Sequence, residues 1–88
     1  MKYFVYILEC ADSTFYIGST NNLAKRVRAH NAYKSGAHYT KIRRPVVLRY
    51  SESYKTKQDA LKREHVLKGL TRSEKAAIIN TNKVSHES

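Results

Sequence analysis

Lys2-Tyr3-Phe4-Val5-Tyr6-Ile7-Leu8-Glu9-Cys10, then Ala11-Asp12-Ser13, then Thr14-Phe15-Tyr16-Ile17-Gly18-Ser19: these eighteen positions, residues 2–19, decide how the chain folds. The first nine are rich in aromatic and β-branched types and are apolar on both alternating faces, the pattern of a strand covered on both sides. Such a strand is expected at or near the middle of a sheet. Residues 14–19 read as a second strand, joined to the first through Ala11-Asp12-Ser13 as a hairpin. For Tyr6 and Tyr16 to share one sheet face, paired residue numbers must sum to an even value, so the loop must hold an odd number of residues. A three-residue loop does this. It sets Tyr6 opposite Gly18 and Tyr16 opposite Leu8, a diagonal of roughly 7–8 Å that long aromatic side chains can bridge. Gly18 then leaves room for the Tyr6 ring.

Downstream of the hairpin, Asn21 or Thr20 can cap a helix running to about Tyr33, with Leu23 and Val27 on its buried side. Residues 34–45 read as a basic loop ending at Pro45, and Val46 to Ser53 as a third strand. Thr56-Lys57-Gln58-Asp59 resembles a capping box opening a helix to about Lys68, which Gly69 ends. Thr71-Arg72-Ser73-Glu74 is a second such box, starting a short helix to about Ile79. The expected fold is an α/β (α+β) sandwich, a small three-stranded, mostly antiparallel sheet flanked by helices, in the order β-β-α-β-α-α. At 88 residues the chain makes one domain, expected over 1–80, with a polar tail at 81–88 that frays.

Lys and Arg outnumber Asp and Glu by 17 to 7, a formal net charge of +10 that calls for an anionic polymer or surface as partner. The basic residues cluster. From Asn21 to Arg49 stand Lys25, Arg26, Arg28, Lys34, Lys41, Arg43, Arg44 and Arg49, with no acid among them. Such a block suits a phosphate backbone, with affinity that falls as salt rises. No apolar run approaches the roughly 20 residues that span a bilayer, and the N-terminus lacks a signal-peptide pattern. A soluble, cytoplasmic protein is expected. Cys10 stands alone and is expected to be a buried strand residue.

Arg26 and His30 lie four residues apart, on one helical face, with Tyr33 near the same stripe. They can act on one target. Glu64 falls between Ala60, Leu61 and Leu67, so its carboxylate is expected to project from an apolar stripe toward the domain. Asp59 and Glu74 already serve as caps, which leaves Glu64 as the strongest candidate for a metal ligand. Mg²⁺ commonly takes one or two carboxylates and completes its shell with water and phosphate oxygens, so one acid suffices. The lack of a second clustered carboxylate argues against a two-metal site. A phenolate base needs a metal ion or Arg26 nearby to favour its charged form, because tyrosine ordinarily titrates near 10. Tyr6 is favoured for deprotonating a water and Tyr16 for orienting it, with His30 as the other choice of base.

The pattern Val5-Tyr6-Ile7, then Tyr16-Ile17-Gly18, then Asn22-Leu23-Ala24-Lys25-Arg26-Val27-Arg28-Ala29-His30-Asn31 resembles the GIY-YIG nuclease domain, in its small stand-alone bacterial branch. The likeness extends through Ala37-His38-Tyr39-Thr40, Arg43-Arg44-Pro45 and Leu61-Lys62-Arg63-Glu64, nearly the whole chain. Two features depart from the pattern. The first signature reads Phe4-Val5-Tyr6 without its leading glycine, and the asparagine that many members carry after the glutamate has only Asn80 as a candidate equivalent. The resemblance implies endonuclease hydrolysis of DNA phosphodiesters with one divalent ion, Mg²⁺ or Mn²⁺. It makes Tyr6 and Tyr16 the site tyrosines, Arg26 the phosphate clamp, His30 a catalytic helper and Glu64 the metal ligand. Lys25, Arg28, His38, Lys41, Arg43 and Arg44 are the expected contacts to nucleic acid, and a protein partner is a candidate source of target choice.

Taken singly, these residues have plainer readings. The tyrosines are ordinary strand residues, Arg26 and Lys25 solvated helix charges, His30 a half-buried imidazole, and Glu64 a carboxylate paired with Arg26 or a lysine. Three functions compete: a metal-dependent nuclease, a nucleic-acid-binding module of the same fold with little or no turnover, and a helix-turn-helix reader built on the two helices around Gly69. The last is weakest, because Ala76, Ala77, Ile78 and Ile79 resemble packing surface rather than a face aimed at base edges. The nuclease reading requires the two rings, the guanidinium, the imidazole and the distant acid to converge.

Overall fold

The structure, a computed structural model, describes residues 2–32, 40 and 42–87, the side chains of 32 and 82–87 excepted. Tyr33, Lys34, His38 and Lys41 lie outside the described residues. Six elements follow in the expected order: β1 Tyr3–Glu9, β2 Phe15–Thr20, α1 Leu23–Ala32, β3 Val47–Tyr54, α2 Lys57–Lys68 and α3 Arg72–Glu87. The sheet is antiparallel with strand order β2-β1-β3, which puts the doubly apolar strand in the centre. Val5, Tyr6, Ile7 and Leu8 are all buried, as continuous apolarity on both faces requires.

The hairpin register is the one that loop parity demands: Tyr6 pairs with Gly18 and Leu8 with Tyr16. Cys10 N–H donates to Thr14 O at 2.8 Å, closing a loop of Ala11, Asp12 and Ser13. Ser13 takes φ 68°, the left-handed position that lets a three-residue loop match the twist of its strands. Asp12 Oδ1 accepts from Thr14 N–H and O–H, and Asp12 Oδ2 pairs with Arg43 Nε at 2.9 Å, so the hairpin tip also anchors the segment entering β3. Along β1 and β3 the register shifts after Ile7, where Arg49 is passed over, and its Nε reaches Glu9 at 2.8 Å.

The two sheet faces carry separate apolar clusters. Val5, Ile7 and Ile17 meet Ala60 and Leu67 of α2, flanked by Tyr50, Tyr54, Leu70, Ile78 and Ile79. Tyr6, Leu8, Cys10 and Val46 form the other, flanked by Tyr16, Leu23 and Val27. Helix α1 therefore lies on the tyrosine face, and α2 with α3 on the opposite one. Burying Leu67 contributes roughly 2 kcal/mol and an exposed ion pair at most about 1, so packing fixes the rotation of α2.

The caps refine the expected boundaries. Asn22, one residue past the expected position, caps α1 by accepting from Lys25 N–H at 3.1 Å, while Thr20 Oγ1 accepts from Asn22 N–H. Thr56 caps α2 through Asp59 N–H at 3.2 Å. Thr71 and Glu74 form a reciprocal box at 2.8 and 3.2 Å. Helix α3 runs to Glu87 rather than stopping near Ile79, since neither glycine nor proline interrupts residues 80–87. Ile78 and Ile79 pack on the core, as a non-reading helix should. No helix among the described residues is long and apolar enough to cross a membrane.

Candidate active site astride the edge strand

Register brings Tyr6 and Tyr16 to one face, and α1 lays His30 against both rings. The centroid separations are 5.9 Å from Tyr6 and 5.0 Å from Tyr16, both edge-on. Tyr6 Oη lies 2.9 Å from His30 Nε2, and His30 Nδ1 lies 2.7 Å from Thr40 Oγ1. Arg26, one turn earlier on α1, also hydrogen-bonds the Tyr6 hydroxyl. Arginine can only donate, so the Tyr6 oxygen accepts from Arg26; a neutral His30 donates through one ring nitrogen and accepts through the other, so its tautomer sets the direction of both the Tyr6 and the Thr40 bonds. Tyr6, His30 and Thr40 are each at most 1% exposed, so this polar line runs through the protein interior with every member satisfied.

Burial sets the ionisation of the line. It pushes the Tyr6 phenol up to about 12, outweighing the Arg26 hydrogen bond that favours the phenolate. His30 is pushed down to about 4, by burial first and then by the positive charges of Arg26 and Arg44. At neutral pH both groups carry no charge.

Gly18 sits under these rings, and its backbone is not left-handed, so it is there for space. A Cβ at this position would meet Tyr6 Oη at 2.4 Å, Tyr6 Cζ at 2.7 Å and Tyr16 Cε2 at 3.2 Å. A free ring tip would swing aside, but the Tyr6 hydroxyl is buried and tied to His30 and Arg26. Gly18→Ala is therefore expected to lower stability by about 2 kcal/mol through overpacking, measured by urea unfolding. An unchanged midpoint would mean that the ring has a second seat.

Glu64 arrives differently. Ala60 and Leu67 seat α2 on the face away from the rings, and Leu61, expected inward, is 46% exposed. From that side the Glu64 carboxylate reaches edge strand β2, where the Ser19 hydroxyl donates to it, and Lys68 Nζ stands 2.8 Å from Oε2. Burial pushes its carboxyl up, but Lys68 and Ser19 outweigh that and hold it below the usual range, so it is anionic at neutral pH. Its charge helps raise the Tyr6 phenol, and it is the first cause, with Tyr16 a lesser one, that holds the Lys68 ammonium above its ordinary range. The rings, guanidinium and imidazole thus share one face, while the acid comes to the β2 edge from the other, at Ser19. The candidate residues therefore bracket the β2 edge and do not line the common hollow in which the nuclease reading had them converge.

The remaining basic residues divide. Lys25 and Arg28 are exposed on α1. Arg43 is paired with Asp12, and Arg44 donates to the carbonyls of His30 and Ala29 at the end of α1. His38 and Lys41 lie outside the described residues, and Asn80 is exposed on α3. Two partners escaped sequence reasoning, Thr40 behind His30 and Ser19 on Glu64; the lysine of the plainer reading of Glu64 is Lys68, at i,i+4 on the same helix. Among the described residues no group of three or more His, Cys, Asp or Glu is placed to hold a metal together. What the chain offers a divalent ion is one anionic carboxylate that already draws the Lys68 ammonium. That donor set fits an ion which keeps most of its shell as water and substrate oxygen.

The chain is similar to known proteins over nearly all its length. It is 45% identical over 86 residues to the UPF0213 protein YazA of Bacillus subtilis (strain 168), covering 98% of this chain and 86% of that protein. The solution NMR structure of the protein EF2693 from E. faecalis superposes with a TM-score of 0.64 at 32% identity, covering 96% and 88% of the two chains. That of the UPF0213 protein BH0048 from Bacillus halodurans gives 0.59 at 34% identity, covering 92% and 85%. Residues 2–77 match the GIY-YIG catalytic domain, a nuclease-like family, and the chain belongs to the GIY-YIG family.

Proposed function

We propose that this chain is an endonuclease that hydrolyses DNA phosphodiester bonds with the help of one divalent ion, Mg²⁺ or Mn²⁺. The observation that carries the reading is the buried Tyr6–His30–Thr40 line with Arg26 on the Tyr6 hydroxyl. An apolar core gains little from such a line, whereas proton transfer needs a donor and an acceptor held in hydrogen-bond reach. Arg26 holds the phosphate and spreads its planar donors over the extra charge at phosphorus in the transition state. Tyr6 takes the proton of the attacking water as it releases its own to His30 Nε2; the water oxygen bonds to phosphorus, the opposite P–O bond breaks, and the leaving alkoxide takes a proton from solvent. A phosphate paired with Arg26 also weakens one of the charges that hold His30 neutral, which eases that transfer. Tyr16, edge-on to His30, orients the water.

Glu64 is the residue that would hold the ion, with Lys68 giving way or turning to the substrate. The ion supplies Lewis-acid polarisation of a phosphoryl oxygen. Lys25, Arg28, His38 and Lys41 contact the backbone, and Arg43 and Arg44 join them from their places at the hairpin tip and the end of α1. Backbone contacts position a strand without reading its bases, so a protein partner supplies the choice of target. A place in the cytoplasm, beside DNA, belongs to the same reading.

The Lys68–Glu64 pair favours a second reading, a module that holds nucleic acid without cutting it. The two separate on metal. Incubation with branched, nicked and single-stranded DNA is expected to give product with Mg²⁺ or Mn²⁺ and none after chelation, while binding persists in both. Binding without product on every substrate would establish the second reading.

A further inference from the structure

On the α2 side of β2, next to Ser19, a cleft of about 340 Å³ opens between Tyr3, Ser19, Thr20, Asn21, Lys57 and Ala60. Ser19 also donates to Glu64, and Ala60 is four residues before Glu64 on the same helical face, so the cleft and the acid are neighbours. Its wall is chemically mixed in a particular way: one aromatic ring, one ammonium, hydroxyls and an amide, over a buried alanine floor. Lys57 is the one charged residue lining it, and no carboxylate does. The nearest acid of α2's first turn, Asp59, bears instead on the Tyr54 phenol. The volume is at the low end of the roughly 300–1,000 Å³ of small-molecule clefts, room for one nucleotide rather than a base pair.

We infer that this cleft is a nucleotide subsite: it takes one unpaired nucleotide of the strand whose scissile phosphate is held by Arg26, with its own phosphate on Lys57 and its base against Tyr3. This rests on the phosphodiester reading and deepens it. Because β2 is an edge strand, a nucleic acid strand can leave the tyrosine face, round the outer edge of β2 and reach Ser19 without meeting another strand of the sheet. Tyr3, half-buried against the α2-side core, gives the cleft its aromatic surface, and a base of any kind can stack on such a ring.

The test is fluorescence anisotropy of the full chain with a short fluorescein-labelled single-stranded DNA, with metal chelated throughout. Lys57→Gln is expected to lower the slope of log affinity against log salt by about 0.7, the share of one phosphate contact on a single strand. Lys62→Gln, an equal charge loss on the exposed side of the same helix, is expected to leave the slope unchanged. Tyr3→Leu is expected to weaken binding on the order of 10-fold and Tyr3→Phe hardly at all. Equal effects of Lys57→Gln and Lys62→Gln would overturn the proposal, as would full affinity in Tyr3→Leu. No cleavage is read here. A chain that never cuts DNA but shows these differences keeps the subsite and loses the hydrolytic reading; one that cuts without them keeps hydrolysis and loses the subsite.

Discussion

Glu64→Ala is expected to reduce DNA cleavage on the order of 10³-fold while leaving affinity for DNA intact or slightly higher. The loss reflects several kcal/mol of transition-state stabilisation that a divalent ion gives, at about 1.36 kcal/mol per tenfold in rate. The opposite trend in binding follows from charge: removing a carboxylate beside a polyanion relieves repulsion. The fold has little at stake. The carboxylate's partners are the Ser19 hydroxyl and a Lys68 that is itself 55% exposed, and an i,i+4 pair of this kind contributes about 0.5 kcal/mol or less. Glu64→Gln separates charge from shape, since it can still accept from Ser19. It is expected to be as inactive as alanine. Single-turnover cleavage with saturating Mg²⁺, beside anisotropy in chelator, measures both quantities, and cleavage within a few-fold of the unmodified chain would remove Glu64 from the site.

What aims Glu64 is a cluster that linear reading did not find. Glu52 of β3 accepts from Arg63 Nε at 3.0 Å and Arg63 Nη2 at 3.1 Å, from Tyr54 Oη at 2.6 Å and from Tyr50 Oη. Burial pushes its carboxyl up, yet the arginine and the two phenols outweigh this and leave it below its ordinary range. Arg63 is the residue before Glu64. A fork held on β3 and a leucine held in the core leave α2 one rotation, and in that rotation the next residue faces β2.

The parts of this site that could be read in advance are those set by local rules. Loop parity determines which strand residues share a face, so the pairing of Tyr6 with Gly18 and Leu8 with Tyr16 followed from counting. Helical spacing put Arg26 and His30 together, and the boxes at Thr56 and Thr71 announced two helix starts. The rest depends on how elements meet. A helical wheel shows that Glu64 points inward but not which sheet face receives α2, and this turned a single expected hollow into a site around an edge. Thr40 meets His30 across ten residues of sequence, beyond any local rule, and the Glu52 cluster needs both the face of β3 and the angle of α2. Asn22 and Asn21 are equally good caps by type, and one position between neighbours is below what residue preference resolves.

The buried imidazole makes the whole fold sensitive to mild acid. Above pH 6.5 His30 is neutral whether the chain is folded or not, and contributes no pH dependence. Between 6.5 and about 4 the unfolded chain takes up a proton that the folded one refuses, because burial and the charges of Arg26 and Arg44 disfavour the imidazolium. Stability therefore falls with pH across this window and levels off, for this group, below about 4, where both states are protonated. The loss amounts to about 3 kcal/mol, a large share of the roughly 5–15 kcal/mol that holds a domain together. Glu52 and Glu64 also lose their contributions in acid, but their lowered carboxyls titrate below 4.5, so the decline from 6.5 to 4.5 belongs to the histidine. Urea unfolding across that range is expected to show the midpoint moving steadily down in the unmodified chain and remaining level in His30→Gln, which retains hydrogen-bonding capacity toward Tyr6 and cannot take the proton. A level profile in both would mean that the folded chain admits a charged His30, and the neutral donor–acceptor pair at the centre of the proton transfer would have to be abandoned.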